Sequence, residues 1–583
     1  MQIKENPTTF DVCVVGSGAG GGMAAKVLTE SGAKVVIIEA GPLFDSSKGD
    51  MFKWPYQSPR RGAPTHRPFG EFDAAFGGWE IDGEPYTTVG DTQFDWFRSR
   101  MLGGRTNHWG RISLRFGPDD FRKRSIDGLG DDWPVTFEDI KPYYDKVDKL
   151  VGVFGVNFPK ELGLTNEPDG VFLPPPKPRA YELLVKQACD QLDIPVVPSR
   201  MSILTQPHNG RAACHYCSQC NRGCSTHSNF SSPSVLIPPA QKTGNLTIIP
   251  NSMAREVLTD SEGQATGVSY VSKEDGQEYA VRAKIVVLAA SACETARLML
   301  NSKSSRHPNG IGNSSGMVGK YLMDSTGASL GGLVPRMMNG IAYNEDGVGG
   351  MHMYMPWWKN NLRDKLDFPR GYHIEFGGGR RMPGYGFMGG LQNYNAYIFN
   401  DKDESQLPTR RAGGYGKQLK DDYRRFYGAQ IGFAGRGEPV AREDNYCEID
   451  PHVVDQWGIP VLRFHYKWSD YEVKQAKHMV DTFEEIIETM GGKVLGKKPG
   501  EDEKYGLATP GRIIHEVGVV RMGNDPKKAP VNKFCQSHDV KNLFVADGAS
   551  FVTNPDKNAT WTILALSMRT AEYIVDQRKK GNI

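Results

Sequence analysis

Residues 10–15, Phe-Asp-Val-Cys-Val-Val, run directly into Gly16-Ser17-Gly18-Ala19-Gly20-Gly21 and then into a helix-favouring stretch that ends near Leu28. An apolar strand, a glycine turn and a helix in that order open a βαβ unit, which commits this end of the chain to a parallel sheet with helices packed on it. Gly16 permits the tight turn, Gly18 lets the backbone approach a pyrophosphate, and Gly21 allows helix and strand to pack closely, with the phosphates at the helix N-terminus. A second strand over 34–38 ends in Glu39, at the spacing where a carboxylate accepts ribose hydroxyls. The spacing predicts an α/β fold, α+β overall, built on a Rossmann-like dinucleotide-binding domain.

The other end of the chain returns to that domain. Residues 542–546, Asn-Leu-Phe-Val-Ala, read as a buried strand that stops at Asp547-Gly548, and an amphipathic helix is expected over 560–575. Such a late strand and acid are similar to the second flavin-contacting segment of FAD oxidoreductases. The likeness implies that Asp547 bonds the ribityl or phosphate region of FAD. It also implies that the last helix aims its positive end at the pyrimidine side of the flavin, where negative charge develops on reduction.

Between these lie Ile513-Ile514-His515-Glu516-Val517-Gly518-Val519-Val520-Arg521-Met522-Gly523 and Pro555-Asp556-Lys557-Asn558-Ala559-Thr560. Here the sequence resembles the glucose-methanol-choline (GMC) oxidoreductases, which carry a His-x-x-Gly-x-x-x-Met segment and a second His or Asn at the start of the last helix. The resemblance implies that His515 takes the hydroxyl proton of an alcohol while its C–H hydride passes to flavin N5, and that Asn558 hydrogen-bonds the same oxygen. Residue chemistry agrees, since a histidine titrates near neutrality and an amide orients an oxygen without competing for its proton. Further segments similar to the family are Trp133-Pro134, Asn229-Phe230-Ser231-Ser232, Gly244-Asn245-Leu246, residues 289–300 and Gly319-Lys320-Tyr321-Leu322-Met323-Asp324, so the resemblance covers nearly the whole chain.

The segment Met101-Leu102-Gly103-Gly104-Arg105-Thr106-Asn107-His108-Trp109-Gly110 matches the family's Gly-Gly loop, which lies along the flavin. In the branch resembling pyranose oxidase a His-Trp here carries a histidine that can be joined to the flavin 8α-methyl, and His108 stands in that place. A covalent link to His108 and simple stacking of the imidazole are the two alternatives.

Cys214, Cys217, Cys220 and Cys224 fall in one eleven-residue loop at C-x2-C-x2-C-x3-C spacing, the run that holds iron-sulfur clusters. A three-iron or four-iron cluster is the expectation, with zinc, a disulfide framework and a loop that has lost its cluster as the plainer alternatives. Zinc sites usually set two pairs well apart, and the other five cysteines show no pairing rhythm. Ser225, not proline, follows the fourth cysteine.

With 583 residues, 39% of them hydrophobic, the chain can bury large cores. A formal charge of +2 without long charged runs suggests neither nucleic acid nor an anionic membrane as partner. No window approaches the run of about 20 apolar residues that spans a bilayer, so no transmembrane segment is expected. The N-terminus lacks the apolar stretch of a signal peptide, so the expected location is cytoplasmic, with periplasmic co-export on a partner subunit as the alternative.

The FAD-binding domain is expected to be discontinuous, over 1–47, 95–118, 228–330 and 508–583. A helical insertion with the cysteine loop spans 119–227, and a substrate domain of sheet plus helices spans 331–507. Aromatics such as Trp357, Trp358, Tyr385, Phe387 and Tyr394 could stack on sugar faces but are more often core. The cysteine loop resembles the family branch of gluconate, fructose and glucose dehydrogenases and glucoside 3-dehydrogenases. That resemblance implies oxidation of a sugar or glycoside ring hydroxyl, at C3 among the candidates, to a ketone, with electrons leaving through the cluster to an acceptor protein or small partner subunit. An oxygen-using oxidase that makes peroxide and a non-catalytic electron-transfer flavoprotein subunit are the other readings.

Overall fold

The computed structural model describes residues 4–48, 76–217, 220, 223–340, 347–360, 365–379 and 416–583. Its principal sheet runs in the order Leu246–Ile249, Val35–Ile38, Lys4–Val15, Glu278–Leu288, Ala265–Ser272, Ser252–Thr259, and Leu543–Val545 joins beside Glu278–Leu288. The first four strands and Leu543–Val545 are mutually parallel, and the remaining two form an antiparallel hairpin at the edge. One strand serves two neighbours along the same side. Residues 278–282 pair with the hairpin and 286–288 pair with the C-terminal strand.

Val12, Val14, Ile37, Ile285 and Val287 pack against the helices Ala19–Glu30 and Thr560–Lys579. Cys13, Val15, Val36, Val286 and Leu288 face the main core, which includes the helix Ala292–Asn301. Strand alternation thus divides a nearly unbroken apolar run between two buried faces, as a parallel sheet requires. The first strand extends back to Lys4, beyond the apolar run, because its backbone pairs with Tyr279 and Ala280 of the neighbouring strand. The α/β class and the Rossmann-like core expected from the sequence are therefore present.

A second, antiparallel sheet has the order Tyr372–Gly378, Gln430–Gly437, Ser329–Leu333, Lys493–Val494. The helices Asp470–Thr489 and Ala180–Gln191 cover one of its faces, with Tyr372, Ile374, Phe376, Phe433 and Phe483 in their shared core. Trp357 and Trp358 pack there against Tyr372, so they serve this core. Tyr385, Phe387 and Tyr394 lie outside the described residues.

Buried charges tie the layers together. Lys557 Nζ lies 2.8 Å from Asp556, 3.3 Å from Glu167 and 3.4 Å from Asp120. Lys123 bridges Asp120 (3.2 Å) and Glu438 (2.7 Å), and Arg370 joins Glu438 to Asp127. No described helix is long and apolar enough to cross a membrane.

Candidate active site

The glycine turn forms because three of its positions leave no room for a side chain. Gly16 has φ +92°, and a Cβ there would stand 2.4 Å from the Ala289 carbonyl oxygen. At Gly20 it would stand 1.6 Å from the Ala546 oxygen, and at Gly21 2.0 Å from the Gly16 oxygen. Gly18 differs: the nearest protein atom to a Cβ would be 4.0 Å away, and the residue lines a cavity. The helix Ala19–Glu30 has no side-chain cap at Gly18 and no acid in its first turn. Its first N–H groups are thereby left for an anion such as a pyrophosphate.

The cavity, about 400 Å³, runs from this turn past Glu39 and Arg98 at one end to Glu375, Arg436, His515 and Asn558 at the other. Glu39, at the end of its strand, accepts from Ser17 Oγ (2.5 Å) and Gly41 N (2.9 Å), and burial raises its pKa. Asp547 and Gly548 also line the cavity. The Asp547 carboxylate accepts from Ser291 N (3.1 Å), Thr295 Oγ1 (2.6 Å) and Ala549 N (2.9 Å), while burial lifts its pKa to about 6. Two buried acceptors on the lining, Glu516 Oε1 and Asn558 Oδ1, have no partner among the described residues. Their unmet demand, the open face at Gly18 and the uncapped helix fit a dinucleotide together with a hydroxylated substrate.

Gly104 and His108 lie on the cavity lining, whereas Gly103, Gly21 and Asn107 support it from behind. Gly103 N accepts no role at the surface but donates to Ser17 Oγ (2.8 Å), and Asn107 Nδ2 donates to the Leu102 and Gly104 carbonyls, which fixes the loop. His108 Nε2 is 3.1 Å from Ser99 Oγ, and its ring meets Phe97 edge-on. Burial, helped by Arg111, lowers its pKa to about 3, so it is a neutral imidazole at pH 7.

His515 Nε2 and Asn558 Nδ2 are 3.4 Å apart, brought together from a loop and from the approach to the last helix. Ser325 Oγ lies 3.0 Å from His515 Nδ1. With Nδ1 donating to that hydroxyl, Nε2 carries the lone pair that faces Asn558. Burial first, then the Arg436 cation, pulls the His515 pKa down to about 3. The residue before it, Ile514, has φ +65°, a left-handed conformation that costs a β-branched side chain about 1–3 kcal/mol. Asp324 holds this strained turn by accepting from Ile513 N (3.2 Å) and His515 N (2.8 Å). Asn554 Nδ2 adds a bond to the His515 carbonyl (3.2 Å), and Arg105 pairs with Glu516 at 2.5 Å.

Asp324, Ser325, Asn554, Arg105, Glu375 and Arg436 are site residues that the sequence reading did not assign. Asp324 and Arg105 stood in recognised segments without a role, Ser325 and Asn554 adjoin such segments, and Glu375 and Arg436 lie in none. Their contacts join positions far apart in the chain, which residue spacing does not report.

The cysteine loop lies on the described residues only in part, with Cys214, Cys217, Cys220 and Cys224 among them. Cys214, Cys217 and Cys220 are half-buried, Cys224 is buried, and none of the four is in a disulfide. Cys224 Sγ is engaged by Ser228 Oγ at 3.2 Å, Cys214 Sγ accepts from Tyr216 N at 3.4 Å, and Cys214 and Cys220 pack against an apolar cluster. Among the described residues no three His, Cys, Asp or Glu side chains are placed to hold a metal ion. The cluster therefore has the spacing of the four cysteines as its support, and the described contacts of Cys214, Cys220 and Cys224 are with hydroxyl, backbone and apolar neighbours.

Comparison with known proteins agrees with this architecture. Two family models described as GMC oxidoreductase match residues 135–326 and 441–567, together more than half of the chain. The chain is 29% identical to a 2-methyl-1,2-propanediol dehydrogenase of Mycolicibacterium austroafricanum over 97% of both chains. It is 26% identical to a fructose dehydrogenase large subunit of Gluconobacter japonicus over 98% of both. Among solved structures, pyridoxine 4-oxidase from Mesorbium loti shares the fold, with a TM-score of 0.61 at 16% identity over 97% of this chain and 99% of that one. The chain therefore belongs to the GMC oxidoreductases, flavoprotein enzymes that act on CH–OH groups.

Proposed function

We propose that the protein is a FAD-dependent dehydrogenase that oxidises a ring hydroxyl of a sugar or glycoside to a ketone and delivers the electrons to an external acceptor protein or small partner subunit. The observation that carries this reading is the His515–Asn558 pair, 3.4 Å apart on the wall of the cavity that begins at the Gly16–Gly20 turn. When bound, FAD supplies the two-electron acceptor. His515, neutral at pH 7, takes the substrate hydroxyl proton at Nε2. Asn558 Nδ2 donates to the same oxygen and so fixes it beside the base. Asp324 and Ser325 keep the imidazole in place, and Gly16, Gly18, Glu39, Asp547 and Gly548 form the cofactor's cradle, with Gly103, Gly104 and His108 along it. C3 of a glycoside is the position proposed from the sequence resemblance.

His515→Ala is the direct test. Purified under air-free conditions, the variant is expected to retain FAD while methyl β-glucoside no longer bleaches the flavin absorbance, with the rate down about 10²–10⁴-fold. Unchanged bleaching would remove His515 as the base. Turnover in air without peroxide separates the dehydrogenase from an oxidase, and NMR of the product locates the new carbonyl. A covalent bond to His108 is tested by denaturation: the yellow colour stays with the polypeptide or leaves it. An iron-sulfur cluster is supported by the spacing of Cys214, Cys217, Cys220 and Cys224 alone. Iron and acid-labile sulfide assays test it, and no part of the proton chemistry above depends on it.

A further inference from the structure

The catalytic end of the cavity has a second polar wall. Glu375 and Arg436 line it together with His515 and Asn558, yet neither belongs to the proton-transfer pair. They come from adjacent antiparallel strands in which His373 stands opposite Arg436 and Glu375 opposite Ala434. Residues opposite one another share a face, so His373, Glu375 and Arg436 project from one side of the sheet. Tyr372, Ile374 and Phe376 occupy the other side, in the helix-backed core.

These three side chains form a connected set. Arg436 Nη2 is 3.4 Å from Glu375 Oε2, and Glu375 Oε1 is 3.2 Å from His373 Nε2. His373 Nδ1 bonds the carbonyl of Asp556, two residues before Asn558. Burial alone would raise the Glu375 pKa, but Arg436 and the His373 contact hold it at about 2, so it is a carboxylate throughout the working range. A guanidinium carries five N–H donors and a carboxylate about four acceptor sites. Among the described residues, Arg436 uses Nη1 on the Gly435 carbonyl (3.0 Å) and Nη2 on Glu375. Donors and acceptors are left over on a wall beside the catalytic pair.

We propose that Arg436 and Glu375 form the specificity subsite that reads two neighbouring hydroxyls of a neutral polyol, Arg436 donating to one oxygen and Glu375 accepting the O–H of the other. The inference rests on the sugar-oxidising reading above and narrows it. A long-chain alcohol entering this site would strip water from both charged groups and give nothing back. A site built to hydrogen-bond a hydroxyl rejects analogues that lack it far more strongly than an apolar pocket rejects an extra hydroxyl. An aldonate would satisfy Arg436 but set its own carboxylate against Glu375. Neutral sugars and glycosides are the class that pairs with both groups. His373 acts through Glu375 and the Asp556 carbonyl, and is a positioning residue.

The test uses the FAD-loaded full chain with methyl β-glucoside, gluconate and n-octanol, in wild type and in Arg436→Leu, Arg436→Lys, Glu375→Leu and Glu375→Gln. Wild type is expected to favour the glucoside over octanol by at least about 10³-fold in kcat/KM. Each Leu variant is expected to lower kcat/KM for the glucoside by about 10²-fold, mainly through KM, as loss of a ground-state contact does. Glu375→Leu is also expected to improve gluconate relative to the glucoside. The Lys and Gln variants, which keep size and polarity, are expected to fall between. FAD content and unfolding temperature measured on the same preparations separate a binding defect from a folding defect.

A parallel binding arm reads the rise in unfolding temperature with glucoside, without turnover. Octanol used as well as the glucoside, or glucoside KM within twofold of wild type in both Leu variants, would overturn the subsite. If no alcohol bleaches the flavin, the sugar-oxidising reading fails. The binding arm then still decides: stabilisation by glucoside that Arg436→Leu and Glu375→Leu abolish supports the subsite, and its absence in wild type, or its survival in both variants, refutes it.

Discussion

Lys557→Met removes the ammonium that Asp120, Glu167 and Asp556 share inside the protein and leaves Lys123 as the cation beside Asp120. Lys557 is 2% exposed and Asp120 0%, so the substitution leaves carboxylates stranded where water cannot replace the lost cation. Breaking a buried ion pair by deleting one partner typically costs about 3–5 kcal/mol. An unfolding entropy of about 2.1 cal/mol/K per residue over 583 residues is about 1.2 kcal/mol/K, so that cost lowers Tm by about 2.5–4 °C if the chain melts as one unit. The exposed Lys580–Asp576 pair is the control: Lys580→Met is expected to change Tm by less than about 1 °C.

The pH dependence makes the same experiment sharper. Burial would raise the Asp120 pKa, but Lys557 and then Lys123 depress it below the ordinary value. A depressed folded pKa contributes stability that is present above the unfolded pKa of about 3.9 and is lost as pH falls through the folded value. Without Lys557 the largest influence that holds the Asp120 pKa down is gone, so its folded carboxyl binds protons more readily than in wild type. The variant's deficit is therefore expected to be largest at pH 7–8 and to shrink toward pH 5. Differential scanning calorimetry of both variants at pH 5, 6, 7 and 8 reads this directly. A Lys557→Met protein that melts within 1 °C of wild type at every pH would refute the reasoning.

Two further outcomes follow from the site geometry. Asp324 has its pKa lifted to about 7 by burial and then by the Glu516 carboxylate. A raised folded carboxyl pKa means that wild type loses stability as pH rises from about 4 through 7, so Asp324→Asn, which does not titrate, should compare more favourably with wild type in urea midpoint at pH 8 than at pH 5. Gly18→Ala and Gly20→Ala separate cofactor space from packing space. The Gly20 methyl would collide with the Ala546 carbonyl and lower the stability of cofactor-free protein by about 1–3 kcal/mol, while the Gly18 methyl meets open space in the protein and is expected to reduce FAD content with little change in cofactor-free stability.

The legible parts of the chain are those where a local pattern has only one physical use. The Gly16–Gly21 run needs close backbone approach at Gly16, Gly20 and Gly21, and an apolar strand on either side of the chain's midpoint needs a sheet to bury it. The helices expected to end near Leu28 and to run over 560–575 appear as Ala19–Glu30 and Thr560–Lys579. Their apolar positions recur at helical spacing, which is a property of the sequence alone. The cysteine run shows the limit of such patterns: spacing gives the order of the thiols, while contacts such as Ser228 on Cys224 and Tyr216 N on Cys214 come from the folded loop.

By itself the sequence determined the dinucleotide-binding frame, the family and the two residues, His515 and Asn558, whose types suit proton transfer. The tertiary structure decided what surrounds them. Asp324 reaches His515 across 191 residues, Asn558 meets it from 43 residues away, and Glu375 joins Arg436 only because two strands pair in one register. Local propensity acts over a few residues. Charge, burial and hydrogen bonding in a folded site are set by groups that the chain must first bring together, which is why the strained turn, the neutral imidazole of His515 and the Glu375–Arg436 wall became visible only in three dimensions.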